Sequence, residues 1–360
     1  MLLGNVAQAE DTPIKVGWSG PLSGNSAVLG VDSVQAAQIA IDEFNDVGGI
    51  GGRKIVLVSE DDQYNTAKAV TAYTKLVTLD GTKALLMSTY GGVFATAKKA
   101  LQDNVIIIDP LDCNNAIAEL PKNTFCIATE SESIGRILAE DISSKKLSTV
   151  GVIYDESNPF MGLVNDSLKH RLKELGVDVV FDQGVTPDTT DFKSILVKFK
   201  RQKTNALVFF GHDPMGGAMK QARGIGSDSQ FYTVGTITSP GYRNLAGESA
   251  NGSLVAYWEA PQTDAYKEFI SKFTLKVGRP PILELATIPS YDSMKILLTA
   301  MRKSVTKNSG VDISVLRQNL LKTTNYIGLS GSLTMDSDGA VRSIREKIYK
   351  YENGKLKGGA

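Results

Sequence analysis

The segment Ile14–Asp62 decides the fold; it reads IKVGWSGPLSG at 14–24, GGIGGRK at 48–54 and IVLVSEDD at 55–62. Two apolar runs of strand length flank a stretch in which Val34, Ala37, Ile41 and Phe44 recur at helical spacing. A strand, a helix and a strand in this order predict a parallel β–α–β unit. In such sheets, ligands bind beyond the carboxyl ends of the strands. Both strands here end in small or acidic residues, so we expect a binding crevice at this edge.

Short apolar runs continue to alternate with helical periodicity along most of the chain. The TESE sequence at 129–132 is a capping-box pattern, which predicts that a helix begins there. This order of elements predicts an α/β chain with parallel doubly wound sheets. The predicted strands are Ile14–Trp18, Ile55–Ser59, Ala84–Met87, Val105–Ile108, Val150–Tyr154, Asp178–Phe181, Ala206–Phe210, Gln230–Val234, Ser253–Tyr257 and Arg345–Tyr351, and the late helices are Thr263–Val277, Thr287–Lys303 and Asp312–Lys322.

The elements fall into two blocks, the second of which begins with a fresh set of β–α units at Thr129. The late helices have no strands between them, and helices without a sheet of their own must pack on an existing one. We therefore expect the chain to return to the first block after Tyr257 and to the second after Gly331. The predicted N-terminal lobe is 13–128 plus 257–331, and the predicted C-terminal lobe is 129–256 plus 332–352.

The composition is that of a globular protein without a net electrostatic field. The 360 residues include 39 Lys and Arg and 39 Asp and Glu, so the formal net charge is zero. This balance gives no attraction to nucleic acid or to an anionic membrane surface. No apolar run approaches the roughly 20 residues that a membrane-spanning helix needs. The sequence therefore predicts a soluble protein that does not bind nucleic acid.

The first residues carry a small-x-small pattern, Ala7-Gln-Ala9, of the kind that signal peptidase cleaves. We interpret 1–12 as the remnant of a signal peptide, with a plain N-terminal tail as the alternative. Export would bring Cys113 and Cys126, the only two cysteines, into an oxidising environment. In an exported protein this pair closes a disulfide, and a loop this short would contribute about 3 kcal/mol in the chain-entropy model. Two buried thiols in a cytosolic chain are the alternative.

The sequence lacks the residue patterns of catalysis and of metal binding. It has no Gly-x-Ser-x-Gly elbow, Walker loop, HExxH or CxxC motif, and its only histidines are His170 and His212. The glycines at 48–52 precede a strand instead of opening a helix, so they do not form a dinucleotide fingerprint. We expect no metal, no cofactor and no enzymatic activity.

Several short motifs in order give the chain a resemblance to one family. They are IKVG at 14–17, GPLSG at 20–24, GGIGGRKI at 48–55, Asp61-Asp62, Asp191-Phe192, QARG at 221–224, GLSG at 328–331 and Asp336-x-x-Gly339. Together the motifs resemble periplasmic solute-binding proteins of ABC transporters, of the branched-chain amino acid (Leu/Ile/Val)-binding type. The resemblance implies a type I periplasmic binding fold, in which three hinge crossings join two Rossmann-like lobes that close on a ligand. It also implies a monomer in the periplasm that binds an amino-acid-like solute and docks on a membrane permease.

The resemblance places the first-lobe ligand contacts in the loops after two strands. The loop STYGG at 88–92 offers the hydroxyls of Ser88, Thr89 and Tyr90 and the close backbone approach of Gly91 and Gly92 to a ligand carboxylate. The alternative for this loop is a helix-start turn without ligand contact.

The loop DPLDC at 109–113 departs from the leucine-type pattern, because it has Asp112 at the wall where that family binds a carboxylate. An acid there would repel a carboxylate unless it faces away or binds an ammonium group. Trp18, which ends the first strand, is a further candidate ligand contact, with a core position as its alternative.

In the second lobe the candidates are Phe160, His212, Asp213, Thr236 and Trp258. Phe160 is where an aromatic ring covers the ligand in the family. Asp213 replaces the glutamate that binds an α-ammonium, or else caps the helix after it. Thr236 lies in the loop GTITS at 235–239, which lacks that glutamate. If two acids face the cleft, the ligand carries an amino group.

Two other functions fit the same fold class. A cytosolic sensor of amides or amino acids is disfavoured by the export pattern and by a disulfide. A doubly wound enzyme acting on a nucleotide or sugar would need a phosphate loop, which the sequence lacks.

Overall fold

The computed structural model describes residues 12–306 and 310–358, so the signal-peptide pattern at 7–9 lies outside the described residues. The strands are β1 Ile14–Gly20, β2 Ile55–Asp61, β3 Ala84–Met87, β4 Ile106–Asp109, β5 Thr124–Ile127, β6 Thr149–Asp155, β7 Asp178–Val185, β8 Ala206–Phe210, β9 Gln230–Val234, β10 Leu254–Tyr257, β11 Tyr326–Gly328, β12 Gly331–Leu333, β13 Ala340–Val341, β14 Lys347–Glu352 and β15 Lys355–Lys357. The helices are α1 Val31–Asp46, α2 Thr66–Thr74, α3 Tyr90–Gln102, α4 Asn115–Ala118, α5 Ser131–Ser144, α6 Pro159–Glu174, α7 Lys193–Arg201, α8 Pro214–Gly224, α9 Pro240–Ala246, α10 Asp264–Val277, α11 Glu284–Arg302 and α12 Ile313–Leu321.

The first lobe is built on a parallel sheet with the strand order β13-β5-β4-β3-β1-β2. Its strands are apolar along most of their length because helices cover both faces. The late helices α10, α11 and α12 pack here: Phe273, Leu297 and Leu316 share one core with Val16 and Ile41. This packing agrees with the expectation that these helices use an existing sheet.

The second lobe is built on the sheet β15-β14-β10-β9-β8-β6-β7. Its five central strands are parallel, and β14 and β15 add to it in antiparallel orientation. The chain passes between the lobes three times, after β5, after β10 and between β13 and β14. The predicted α/β class with two Rossmann-like lobes and three crossings is confirmed.

The sheets differ from the predicted lobe boundaries at more than one place. The sequence analysis assigned 332–352 to the second lobe, but Ala340 pairs with Cys126 and Val341 with Ile127 in the first sheet. It assigned Tyr257 to the first lobe, but Tyr257 pairs with Lys347 in the second sheet. A strand of two residues is too short to show a periodic pattern, so β13 was missed, and the four-residue strand β5 was missed as well. The third crossing therefore spans 342–346.

The predicted capping box at 129–132 is wrong. Helix α5 has Glu130 as its N-cap, without a side-chain capping bond. The hydroxyl of Ser133 donates to the carbonyl of Glu130 at 2.6 Å. The Glu130 amide also donates to the Ile344 carbonyl at 3.0 Å, which joins the first crossing to the third. Thr129 therefore does not cap α5, and it faces the space between the lobes.

A buried carboxylate fixes one of the sequence motifs, GLSG at 328–331. Asp292, on α11, is buried and accepts hydrogen bonds from the backbone amides of Leu329 at 2.9 Å and Ser330 at 2.7 Å. These amides belong to the GLSG motif at 328–331, so Asp292 holds the connection between the two short strands of the β11–β12 hairpin. Burial raises the pKa of Asp292 to about 6.

Replacement of Asp292 by alanine would leave these two buried amides without a hydrogen-bond partner. We expect Asp292→Ala to lower the free energy of unfolding by about 2–4 kcal/mol. Urea unfolding followed by circular dichroism measures the change. Asp166→Ala, at an exposed helix position, is the control and should change stability by less than about 0.5 kcal/mol. Equal effects of the two substitutions would contradict the role of Asp292.

The chain contains one disulfide among its described residues, between Cys113 and Cys126. It joins the loop after β4 to the neighbouring strand β5, and both cysteines are buried. Of the two alternatives left open by the sequence, the structure has the bridged one.

Removal of the disulfide should release loop-closure entropy to the unfolded chain. For a separation of 13 residues, we expect reduction to lower the free energy of unfolding by about 3 kcal/mol. Thermal unfolding with and without dithiothreitol tests this. The double variant Cys113→Ala and Cys126→Ala should be less stable than the oxidised protein and insensitive to the reductant. An unfolding midpoint that reductant does not change in the wild type would contradict the expectation.

Candidate functional site

The candidate site is a cleft at the carboxyl ends of the parallel strands of both sheets. It contains about 480 Å³ of empty space, part of which is open to solvent. Strand ends and helix starts from both lobes form it, as expected for doubly wound sheets. Its walls are formed by Leu29, Tyr64, Leu111, Asp112, Thr129, Ile134, Phe160, Met161, His212, Val234, Gly235, Thr236, Leu283, Leu285 and Glu346.

Asp109, the last residue of β4, shapes the wall that carries Asp112. One oxygen of Asp109 accepts hydrogen bonds from the amides of Leu111 and Asp112, each at 2.9 Å. These two amides are therefore occupied and cannot bind a ligand carboxylate. Burial raises the pKa of Asp109 to about 7.

Asp112 itself faces the cleft and is only 3% exposed. Its Oδ2 atom has no hydrogen-bond partner among the described residues. Burial, together with the nearby charges of Asp109 and Glu346, raises the pKa of Asp112 well above its usual range. Such a carboxylate is unfavourable unless a ligand supplies a donor or a positive charge.

Glu346 is a second buried acid in the cleft, and it lies on the third crossing between the lobes. It is 7% exposed, and its Oε2 atom has no partner within the described chain. Burial raises the pKa of Glu346 to about 8. A ligand that contacts Glu346 and Asp112 would therefore touch both the hinge and the first lobe.

Tyr64 enters the cleft from the loop after β2 in a strained backbone conformation. Its φ is 57°, and Gln63 before it has φ 54°, in the left-handed region that side chains rarely adopt. The buried Asp62 holds it there, because Asp62 Oδ1 accepts from the Tyr64 amide at 2.9 Å. Burial, with Asp112 and Asp109 nearby, raises the pKa of the Tyr64 phenol.

His212 faces Tyr64 from the second lobe. The ring centroids are 6.0 Å apart in an edge contact. His212 is 6% exposed, and neither ring nitrogen has a hydrogen-bond partner in residues 12–306 and 310–358. Burial lowers the pKa of His212, while Asp155 and Asp213 act in the opposite direction. The ring is therefore neutral at pH 7.

The structure brings four of the predicted site residues together in the cleft: Asp112, Phe160, His212 and Thr236. Phe160 contributes apolar surface to the wall. The Thr236 hydroxyl donates to the Gly211 carbonyl at 2.6 Å, so it positions the loop that precedes His212.

The predicted loop 88–92 does not line the cleft. The Thr89 hydroxyl donates to Asp62 at 2.8 Å, and the Tyr90 hydroxyl accepts from Asn114 at 3.2 Å. Ser88 is fully buried, and its hydroxyl has no hydrogen-bond partner in the described residues. The hydroxyls of Thr89 and Tyr90 are therefore engaged within the protein, whereas that of Ser88 is not.

Gly91 and Gly92 lie where α3 packs against α2. A Cβ atom on Gly91 would lie 2.2 Å from the Thr66 hydroxyl, and one on Gly92 would lie 2.5 Å from the Ala69 Cβ. Both contacts are with α2, so the glycines let α2 and α3 pack closely. This packing explains both glycines without a contact to a ligand anion.

Three other predicted residues also lie outside the cleft. Trp18 and Trp258 belong to the core of the first lobe. Asp213 accepts a hydrogen bond from the Ser239 hydroxyl at 2.6 Å and neither lines the cleft nor caps α8 with its side chain. Core packing explains the positions of Trp18 and Trp258, whereas Asp213 neither lines the cleft nor forms the side-chain helix cap that was its alternative.

Sequence analysis missed Tyr64 and Glu346 as site residues. Tyr64 comes two residues after Asp62, at a strand end that the analysis had marked as a crevice. Glu346 lies just before the last strand, at a crossing whose position was misjudged because β13 went unrecognised. The apolar residues Leu29, Leu283 and Leu285 carried no signal, since they resemble core residues.

The Asp, Glu, Lys and Arg residues that line the cleft are all acidic. Two carboxyl groups line it, and no Lys or Arg does so in the described part of the chain. Within the same residues no group of three or more His, Cys, Asp or Glu side chains is arranged to hold a metal ion. No helix of residues 12–306 and 310–358 is long and apolar enough to cross a bilayer.

Comparison with known proteins gives one consistent result. The family model for the periplasmic binding protein matches residues 13–345. The Leu/Ile/Val-binding protein of Citrobacter freundii is 29% identical over 357 residues, which cover 97% of this chain and 93% of that protein. Leu/Ile/Val-binding protein homolog 1 of Brucella abortus is 27% identical over 346 residues, covering 95% and 91%.

A solved structure agrees with these relatives. The substrate-binding protein LivJ of a branched-chain amino acid transporter from Streptococcus pneumoniae, solved with isoleucine, has a TM-score of 0.84 and 25% identity, covering 96% of this chain and 98% of that one. The predicted type I periplasmic binding fold and the predicted solute-binding function for an ABC transporter are confirmed. Because the matched family consists of binding proteins, the prediction that the chain is not an enzyme is confirmed as well. The chain belongs to the periplasmic binding protein family.

Proposed function

We propose that this protein captures a small organic cation with N–H groups, such as a primary amine, between its lobes and delivers it to an ABC transporter permease. One observation carries the proposal: Asp112 and Glu346 are buried acids that face the cleft, each with an oxygen that lacks a donor in the described chain. A ligand ammonium would supply both the charge and the hydrogen-bond donors that these oxygens need.

The same wall disfavours a ligand carboxylate. The amides of Leu111 and Asp112 are bonded to Asp109, and the Thr89 hydroxyl is bonded to Asp62. A carboxylate in the cleft would meet Asp112 and Glu346 without a compensating Lys or Arg. Although its relatives are named for Leu, Ile and Val, we infer that this chain does not take those amino acids.

The arrangement supports closure by the ligand. Asp112 and Tyr64 come from the first lobe, Phe160 and His212 from the second, and Glu346 from a crossing. A cation that touches all three parts favours the closed form by the contacts that only that form provides. One chain supplies the whole cleft, which supports function as a monomer, and the Ala7-Gln-Ala9 pattern supports export to the periplasm through a signal peptide.

A neutral amide is a second candidate ligand. Because burial raises the pKa of Glu346 to about 8, this acid keeps its proton at pH 7 in the free protein and can donate to a carbonyl oxygen. The sensor function considered from the sequence would use such a ligand. Amines and amides therefore belong in one ligand panel.

The first test is a thermal-shift and calorimetric panel of alkylamines, matched alkyl carboxylates, amides and branched-chain amino acids. We expect stabilisation by amines only. Asp112→Asn and Glu346→Gln should each weaken amine binding by about 10- to 100-fold, because a charge-assisted hydrogen bond is lost. Asp292→Asn, which changes a buried acid remote from the cleft, is the matched control and should leave the affinity unchanged.

Two outcomes would contradict this proposal. Stabilisation by carboxylates or branched-chain amino acids, without an effect of amines, would show that the cleft does not select a cation. Stabilisation by amides alone would favour the neutral ligand. Native mass spectrometry of the protein purified without added ligand should show a retained mass that fits a small amine.

The raised pKa of Glu346 predicts a pH dependence of stability. Since the folded-state pKa is about 8 and the ordinary value is 4.5, the folded protein binds a proton that the unfolded chain has lost between these values. The ligand-free protein should therefore lose stability as the pH rises from about 5 to 8. Amine affinity should increase over the same range, because the amine then meets an ionised Glu346.

Denaturant midpoints measured at a series of pH values test this expectation. Glu346→Gln should make the profile less steep between pH 6 and 8, while the slope contributed by Asp109, whose pKa is raised to about 7, remains. Asp292→Asn should change it only at lower pH, because the pKa of Asp292 is raised to about 6. A wild-type profile that is flat between pH 6 and 8 would contradict the assignment.

A further inference from the structure

His212 is a polar group in the cleft that an ammonium ion does not satisfy. Both of its ring nitrogens are buried and without a hydrogen-bond partner in the described residues. A neutral imidazole has one N–H donor and one acceptor nitrogen, and leaving both unpaired in an apolar site is costly. Neither Asp112 nor Glu346 forms a hydrogen bond with this ring.

The neighbours of His212 within the protein do not relieve this cost. Thr236 donates its hydroxyl to the Gly211 carbonyl, and Asp213 is bonded to Ser239. Asp155 accepts from the amide and the hydroxyl of Ser157. Tyr64 meets the imidazole through an edge contact of the rings, and no hydrogen bond joins the two side chains in the described structure. The remaining side of the ring faces the cleft.

Tyr64 lies near two groups in the cleft, His212 and Asp112. Its ring lies against His212, while its phenol is close enough to Asp112 and Asp109 for their charges to act on it. His212 and Asp112 therefore both lie near the Tyr64 side chain. Leu111, Phe160 and Leu285 line the cleft as well, so the space between the polar ends is mainly apolar.

From this geometry we infer that the solute is bifunctional: it has an ammonium group at the Asp112–Glu346 end and a neutral group, both donor and acceptor, that binds His212. A hydroxyl or a primary amide at the far end of a short apolar chain has this chemistry. The inference rests on the proposed function, since it assigns the second end of the same ligand. It makes His212 the residue that distinguishes such a solute from a plain alkylamine.

The test compares ω-amino alcohols with n-alkylamines of matched length, from two to six carbons, by isothermal titration calorimetry. In the wild type, the amino alcohol of the preferred length should bind about tenfold more tightly than the matched alkylamine, because one added buried hydrogen bond contributes this much. In His212→Leu the ratio should fall to about one. His212→Gln, which retains a donor and an acceptor, should keep part of the preference.

The outcomes separate this inference from the proposed function. If alkylamines and amino alcohols bind the wild type equally, or if His212→Leu leaves their ratio unchanged, the inference is wrong and the cation site stands. If ω-amino acids bind more tightly than amino alcohols and lose this advantage in His212→Leu, His212 binds a carboxylate as an imidazolium, which also overturns it. If no amine binds, the proposed function fails together with the inference. Melting temperatures of both variants check that each is folded.

Discussion

A buried carboxylate needs hydrogen-bond donors, and this requirement organises the structure at each point where a loop must hold its shape. Asp62 accepts from Ser19, Thr89 and the Tyr64 amide. Asp109 accepts from two amides of its own loop, and Asp292 from two amides of the β11–β12 connection. In this way each of the three acids holds the backbone of a loop in place. Asp62 and Asp109 fix loops at the cleft in this way, and Asp292 fixes a hairpin remote from it.

Asp112 and Glu346 differ from these acids in one respect. They line the cleft, where each keeps an oxygen without a donor in the described chain, whereas the unpartnered oxygen among the other three acids, Oδ2 of Asp109, lies outside the cleft walls. A satisfied acid stabilises the fold, whereas an unsatisfied one raises the energy of the ligand-free state and favours a ligand that completes it. The same physical rule thus builds the scaffold and sets the selectivity of the cleft.

The fold was predictable to a large extent from local patterns. Long apolar runs gave strands such as Ala206–Phe210 and Gln230–Val234 with the bounds that the structure has. The strand β13 was missed because two residues cannot establish a period of two, and β5 was missed although β3, also of four residues, was predicted. The misplaced third crossing followed from β13, and it concealed Glu346, whose position in the cleft depends on a strand pairing between distant segments.

The site was predictable only where one residue lies close to a strand end. Asp112, Phe160, His212 and Thr236 were found in this way. Whether a hydroxyl or an acid near the cleft is free depends on partners distant in sequence. Thr89 is engaged by Asp62, and Asp213 by Ser239. No spacing rule contains that information, so the sequence could not show that Thr89 and Asp213 have partners within the protein.

The disulfide determines whether the cleft wall around Asp112 is ordered before a solute binds. Cys113 directly follows Asp112, and the bridge to Cys126 fastens this segment to β5, next to the edge strand β13 of the first sheet. In its oxidised form the wall is ordered before the solute arrives, so solute binding does not include the entropic cost of ordering it. In a reducing compartment the same wall would be held by weaker contacts. The affinity of the chain for its solute would then depend on the oxidation of Cys113 and Cys126.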